Sequence, residues 1–278
     1  HLWKYHPEEY AWMDDSMDLL KRDYLPDDLG PLLNRAGVSG TVVVQARQSL
    51  EETGWLLEQA EKHSFIRGVV GWIDLCSAEA ERQLDDFASH PRLTGVRHLI
   101  HDEPEDDFMK RRDFRRGISR LSQYDLVYDL LIFPRHINLA AGLAREFPEQ
   151  PFVLDHLGKP EIRSGEIQPW KRDLEALAGC RNVSCKLSGM VTEADHRSWN
   201  YEDLKPYMEV ALEAFGTQRL MLGSDWPVCL LAGSYSRVLD AALRFTERLS
   251  SFEKERIHSQ NALDIYRITV KHHGESTA

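Results

Sequence analysis

Short apolar runs rich in Val, Ile and Leu recur along the chain at residues 40–46, 68–74, 94–100, 126–132, 152–156, 183–187 and 220–225. Each is bounded by turn-forming or polar residues and reads as a buried strand. Between them, at 50–63, 78–89, 109–122, 136–147, 170–178, 201–215 and 235–249, apolar positions recur with helical spacing. Continuous apolar strands, each followed by a helix, predict an α/β protein with parallel strands covered on the outside by helices. Seven such units fall one short of a closed (β/α)8 TIM barrel, so the predicted fold is that barrel with its first strand largely upstream of residue 1. A doubly wound open sheet competes. It usually carries a G-x-G-x-x-G or G-x-x-x-x-G-K-S loop after its first strand, whereas the GVSG at 37–40 precedes a strand.

At 278 residues and 42% apolar composition the chain can bury one large core, and a barrel of roughly 250 residues fits that length. A single domain over 1–278 is therefore expected, with no internal repeat or Pro-rich linker. Residues 5–31, rich in Trp, Tyr and Asp, are predicted to form a long connection over the barrel mouth. The polar segment 271–278 is expected to fray. A formal net charge of −11 speaks against a nucleic-acid partner. The one compact basic run, Lys110, Arg111, Arg112, Arg115 and Arg116, is diluted by Asp106, Asp107 and Asp113 and reads as a solvated helix face. Cys76, Cys180, Cys185 and Cys229 form no metal-binding spacing and are expected to be reduced thiols. No apolar run of about 18 residues exists to cross a membrane, so no membrane partner and a cytoplasmic location are expected.

Barrel enzymes place their chemistry where strands end. The polar residues there are Gln45 and Arg47, Asp74, Arg97 and His98, Asp155 and His156, Lys186 and Ser188, and Ser224, Asp225 and Trp226, joined by His1 if that residue ends a first strand. Asp225, in LMLGSDWP, suits a general base for water, although an Asp in this setting also suits a helix N-cap. Successive strand residues face opposite sides, so only one of Asp155 and His156 is expected to face the interior, and His156 is the choice. Arg97 and Lys186 end apolar strands, where an unpaired charge is costly. They would bind substrate or a developing oxyanion, or else form an internal salt bridge with Asp74 or Asp155.

Taken together, HLWKYHPEEYAWM at the start, DHLGKP at 155–160, KLSG at 186–189, GSDWP at 223–227 and NALDIY at 261–266 resemble the amidohydrolase-related lactonases. That group includes L-fuconolactonase, L-rhamnonolactonase and 2-pyrone-4,6-dicarboxylate lactonase, and the resemblance spans nearly the whole chain. It implies a distorted eight-stranded barrel whose first strand ends in an HxH pair, with His1 as the second histidine and the first before residue 1. It also implies that Asp225 activates the hydrolytic water, that His156 and His1 surround the substrate carbonyl or a metal, and that Trp226 and Arg97 shape the substrate. Lys186, Gln45 and His98 carry over as further substrate-binding positions. A binuclear site lacks its ligands here, with Arg97 and His98 on one strand and Leu131, Ile132 and Phe133 on the next. One divalent ion, zinc by ligand chemistry, could be held by His1, His156 and Asp225; a metal-free site in which histidines and arginines polarise the carbonyl is the alternative. The expected reaction is hydrolysis of a small lactone to its hydroxy acid, with L-fuconolactone and L-rhamnonolactone leading and Trp3, Tyr10 and Trp12 available to pack on a sugar face. The rival readings are a metal-dependent decarboxylase on the same scaffold and a non-catalytic sugar-acid binding protein.

Overall fold

A computed structural model describes residues 1–10 and 12–269; the segment 271–278 lies outside the described residues. Seven parallel strands pair in chain order, β1 (Thr41–Val44), β2 (Ile66–Gly71), β3 (Leu93–His98), β4 (Val127–Leu130), β5 (Phe152–Leu154), β6 (Val183–Leu187) and β7 (Leu220–Leu222). The principal helices preceding and following them are α1 (Pro26–Arg35), α2 (Leu50–Lys62), α3 (Ala80–Ala88), α4 (Arg112–Leu121), α5 (Ile137–Glu146), α6 (Trp170–Ala178), α7 (Met190–Glu193), α8 (Tyr201–Phe215) and α9 (Tyr235–Thr246). Sequential parallel strands with helices between them form the curled sheet of a TIM-type barrel. His1 sits in the seam between β7 and β1, and Trp3 bridges to Tyr24. In the seam the His1 main-chain nitrogen donates to the Trp226 carbonyl at 2.5 Å and His1 Nδ1 lies 2.7 Å from the Val44 carbonyl.

The two faces of the sheet bury different things. The larger apolar cluster joins strand residues such as Val69, Val96, Tyr128 and Leu154 to helix residues such as Leu56, Phe114 and Leu174. Val44, Val70, Val127, Val153 and Met221 form a separate cluster with Tyr266, which is the barrel interior, plugged by an aromatic ring from beyond the last strand. Continuing the period of two upward places Arg97, Asp129, Asp155 and Lys186 on that same inner face. Close packing fixes some small residues, for a Cβ at Gly95 would stand 2.8 Å from the Val127 carbonyl oxygen.

Several expectations change. Six of the seven strands end earlier than the apolar runs, β6 alone matching its run, and β5 stops at Leu154, so strict alternation no longer governs Asp155 and His156. Residues 5–31 are not all loop: α1 begins inside them, with Pro26 in its first turn, Asp27 and Asp28 following, and the Leu25 N–H donating to Asp28 at 2.9 Å. The basic run is consumed locally. Arg111 pairs with Asp113 at 2.7 Å, Lys110 with Asp107 at 3.6 Å and Arg115 with Glu146 at 3.0 Å, leaving a solvated face. All four cysteines are free. Among the described residues no helix is long and apolar enough to cross a membrane.

Candidate active site

The DHLGKP segment turns the chain in an unusual sense. His156, Leu157, Gly158 and Lys159 all have left-handed backbone, with φ of 53°, 55°, 70° and 54°. L-residues pay about 1–2 kcal/mol each for this conformation, and such strain clusters at functional sites. Here it lets both halves of the pair face inward. Asp155 takes the interior strand position, and the reversed turn swings His156 over the same mouth, correcting the expectation that only one could do so.

Asp225, itself left-handed at φ 56°, stands between two imidazoles. His1 Nε2 and His156 Nε2 lie 3.3 Å and 3.5 Å from its Oδ1. Burial alone would raise the Asp225 carboxyl, but His156 and His1 together hold it below the ordinary carboxylate range, so it is ionised at neutral pH. Burial drives His156 down to about 4 despite the attraction of Asp225, which keeps that ring neutral. His156 Nδ1 meets the Ser188 hydroxyl at 2.8 Å. Gly189 gives the ring its room, since a Cβ there would stand 2.5 Å from His156 Cγ and its φ is +62°. The DHLGKP and KLSG motifs are therefore two halves of one seat.

These groups open into a cavity of about 370 Å³, within the size range of small-ligand sites. Its walls include His1, His156, Asp225, Arg97, His101 and Lys159, with Phe133, Leu131 and Trp12 as apolar surface. His101, Asp102, Lys159, Glu193 and His196 also line it, and none stands out in the sequence. His101 and Asp102 sit in a single short helical turn, Glu193 ends the four-residue α7, and Lys159 and His196 lie on loops, so no periodicity marks them, although Lys159 belongs to the quoted DHLGKP motif.

Of the other predicted substrate contacts, Arg97 reaches the cavity wall, whereas Lys186, Gln45, His98 and Trp226 are not among its lining residues. Lys186 lies below it, 2.5 Å from Asp129 and 2.6 Å from Asp155, while Arg97 donates to Asp155 at 2.8 Å. The internal salt bridge is thus the reading that holds for Lys186, and Asp155 is its partner where Asp74 is not. Asp74 instead accepts from the Cys76 and Ser77 amides at 3.1 Å and 3.2 Å. Burial pushes Asp129 up to about 6, whereas Lys186 and Arg97 hold Asp155 low against its own burial. The Tyr266 hydroxyl donates to Asp129 at 2.9 Å, closing the network from below. Gln45 is fully buried and holds Arg97 through its backbone carbonyl and its side-chain oxygen. His98 pairs with Glu103 at 2.5 Å and stacks on Phe108. Trp226 is buried edge-on against Tyr24. All three are framework. Of the aromatic entry residues, Trp3 and Trp12 border the cavity while Tyr10 packs into the core.

The donor set at Asp225 can be tested for a metal. A carbonyl only accepts, so His1 Nδ1 donates toward Val44; an ionised carboxylate also only accepts, so the His1 Nε2 contact with Asp225 needs a proton on Nε2, which a bound cation would replace. The Ser188 hydroxyl can donate or accept, so His156 can present either a lone pair or an N–H. Two ligands on a tetrahedral zinc stand about 3.4 Å apart, close to the separations observed. Among the described residues no group of three or more His, Cys, Asp and Glu forms a ready-made cage. The chemistry of the donors fits one divalent ion at Asp225, but His1, His156 and Asp225 do not enclose it.

The amidohydrolase family model matches residues 1–268. An L-fucono-1,5-lactonase from Burkholderia multivorans is 38% identical over 96% of this chain and 94% of its own length. A second L-fucono-1,5-lactonase, from Burkholderia ambifaria, is 36% identical over 96% and 93%. The crystal structure of an amidohydrolase from Burkholderia multivorans with bound zinc superposes with a TM-score of 0.94 at 38% identity, covering 97% of each chain.

Proposed function

The chain belongs to the amidohydrolase family, and on that premise we propose that it is a lactonase, a carboxylic ester hydrolase that opens a sugar lactone with Asp225 as general base. The observation that carries this reading is the Asp225 carboxylate flanked by His1 and His156 at the wall of the cavity. Full-length similarity to two L-fucono-1,5-lactonases supports the substrate class and makes L-fucono-1,5-lactone the first substrate to try, with L-rhamnonolactone beside it.

In the proposed reaction Asp225 takes a proton from water as the water oxygen bonds to the lactone carbonyl carbon. The carbonyl π pair moves onto oxygen, giving a tetrahedral oxyanion that His156 would stabilise as an N–H donor, with the Arg97 guanidinium at the cavity wall adding positive charge. Collapse of the oxyanion breaks the ring C–O bond, and protonated Asp225 returns its proton to the leaving alkoxide. One water is consumed, and the product hydroxy acid ionises to release a proton. The alkoxide is a better leaving group than an amide nitrogen, so a single base suffices. A divalent ion held by His1, His156 and Asp225 would polarise the carbonyl and acidify water.

The test is a pH-indicator assay on a panel of aldonolactones, with and without chelator, beside Asp225→Asn. The variant should lose 10²- to 10⁴-fold in kcat, the usual worth of a positioned general base. Chelator sensitivity restored by zinc would establish the ion. Absence of acid release from every lactone by the folded protein would overturn the reading, and carbon dioxide release from an aromatic acid would replace it with decarboxylation.

A further inference from the structure

Lys159 and Glu193 have no part in the hydrolytic step described above, yet both line the cavity and their charged ends are in direct contact. Their side chains are only 18% and 19% exposed. They arrive from different elements: Lys159 closes the left-handed turn after β5, and Glu193 ends α7, the short helix that follows KLSG. For an ion pair this far withdrawn from solvent, desolvation offsets much of the mutual attraction, so its net contribution to stability is small. A lysine in left-handed backbone costs as much as that or more. Stability alone therefore does not account for this pair at the wall of the cavity.

Resting on the lactonase reading, we infer that the Lys159–Glu193 pair is a specificity element that recognises two neighbouring ring hydroxyls of the substrate. Each hydroxyl both donates and accepts. An ammonium beside a carboxylate presents the complementary set, with Glu193 accepting from the hydroxyls and Lys159 donating to them. Such charge-assisted bonds are about twice as strong as neutral ones. Because the two charges cancel locally, the pair offers no net attraction to an anionic lactone, and Asp102 on the same cavity would oppose one. The favoured class is a neutral, polyhydroxylated lactone. Phe133, whose ring lies 5.9 Å from Lys159 Nζ, supplies the adjoining apolar surface against which the C–H face of such a ring can pack.

The experiment measures kcat/KM for a hydroxylated aldono-1,5-lactone and for δ-valerolactone, the unsubstituted six-membered ring, in the wild-type protein, Glu193→Gln and Lys159→Met. The wild type should prefer the hydroxylated ring. In each variant the ratio of the two kcat/KM values should fall about 10- to 100-fold, mostly through KM, the range given by one or two charge-assisted hydrogen bonds. An unchanged ratio, whether both activities fall together or neither moves, would make the pair a structural latch between two loops and overturn the inference. Should one variant fail to fold, the ratio in the other decides. If the wild type hydrolyses neither ring, the lactonase reading falls first and takes this inference with it.

Discussion

Replacing Gly189 by Ala adds one methyl, and its place is already taken by the His156 ring 2.5 Å away. The same residue holds φ +62°, where a Cβ is also disfavoured. Relief requires His156 to move from Ser188 and Asp225. We expect Gly189→Ala to lower kcat on a lactone at least tenfold and to reduce stability by about 1–3 kcal/mol, as overpacking usually does. Steady-state kinetics and urea unfolding measure the two effects; unaltered kcat would show that the His156 position is not critical. Asp225 and His156 are legible as chemistry in the sequence because titratable groups that close an apolar run are costly to bury without a partner or a task. Lys159 and Glu193 are not, since a loop lysine and a glutamate near a helix end are ordinary until the fold brings them together.

The strands present their inner faces as two layers, apolar below and charged above. Arg97, Asp129, Asp155 and Lys186 lie within that upper layer, and each charge has an opposite one in contact. Truncating one member strands the others in a dry interior, which typically costs about 3–5 kcal/mol. Lys186→Met should therefore lose that much in urea unfolding, and pairing it with Asp129→Asn should restore part of the loss. A loss below about 1 kcal/mol would mean that water already screens the network. The order of strands is legible in the sequence because buried parallel strands are continuous apolar runs. Asp129 interrupts such a run and stays hidden, as a mid-strand carboxylate signals nothing until its cation is known. Helix α1 is masked by Gly30 and Pro31 within it, though Pro26 followed by two Asp residues is a start signal. The error over Asp155 and His156 has a physical cause too: alternation holds only while the strand continues, and the left-handed turn begins one residue after Asp155.

Across the whole molecule several histidines are buried in the neutral form. Burial lowers His101 to about 3 and His156 to about 4, and lowers His98 and His136 as well. Each folded pKa lies below the unfolded value of about 6.5, so the unfolded chain takes up protons first as pH falls. The stability tied to these rings is complete above about pH 6.5 and is lost progressively toward their folded pKa values. Asp129 acts in the opposite sense, because its folded carboxyl, raised to about 6 by burial, binds a proton more readily than an unfolded one. The net slope between pH 6 and 4.5 should be at least that of one site, about 1.4 kcal/mol per pH unit. Urea midpoints taken from pH 7 to 4.5 should fall accordingly, and His101→Gln should flatten the curve. A constant midpoint would show that these rings titrate normally.

His1 and Asp225 are 224 positions apart in sequence and in contact in the fold. Such a contact carries a large loop-closure cost, which is repaid only after the intervening strands have assembled. A refolding chain should therefore regain its far-ultraviolet signal and much of its core before it regains turnover, with catalytic competence as the last observable to recover. The seam between β7 and β1 thus acts as a kinetic checkpoint: a molecule that has not finished folding cannot yet juxtapose Asp225 with His1.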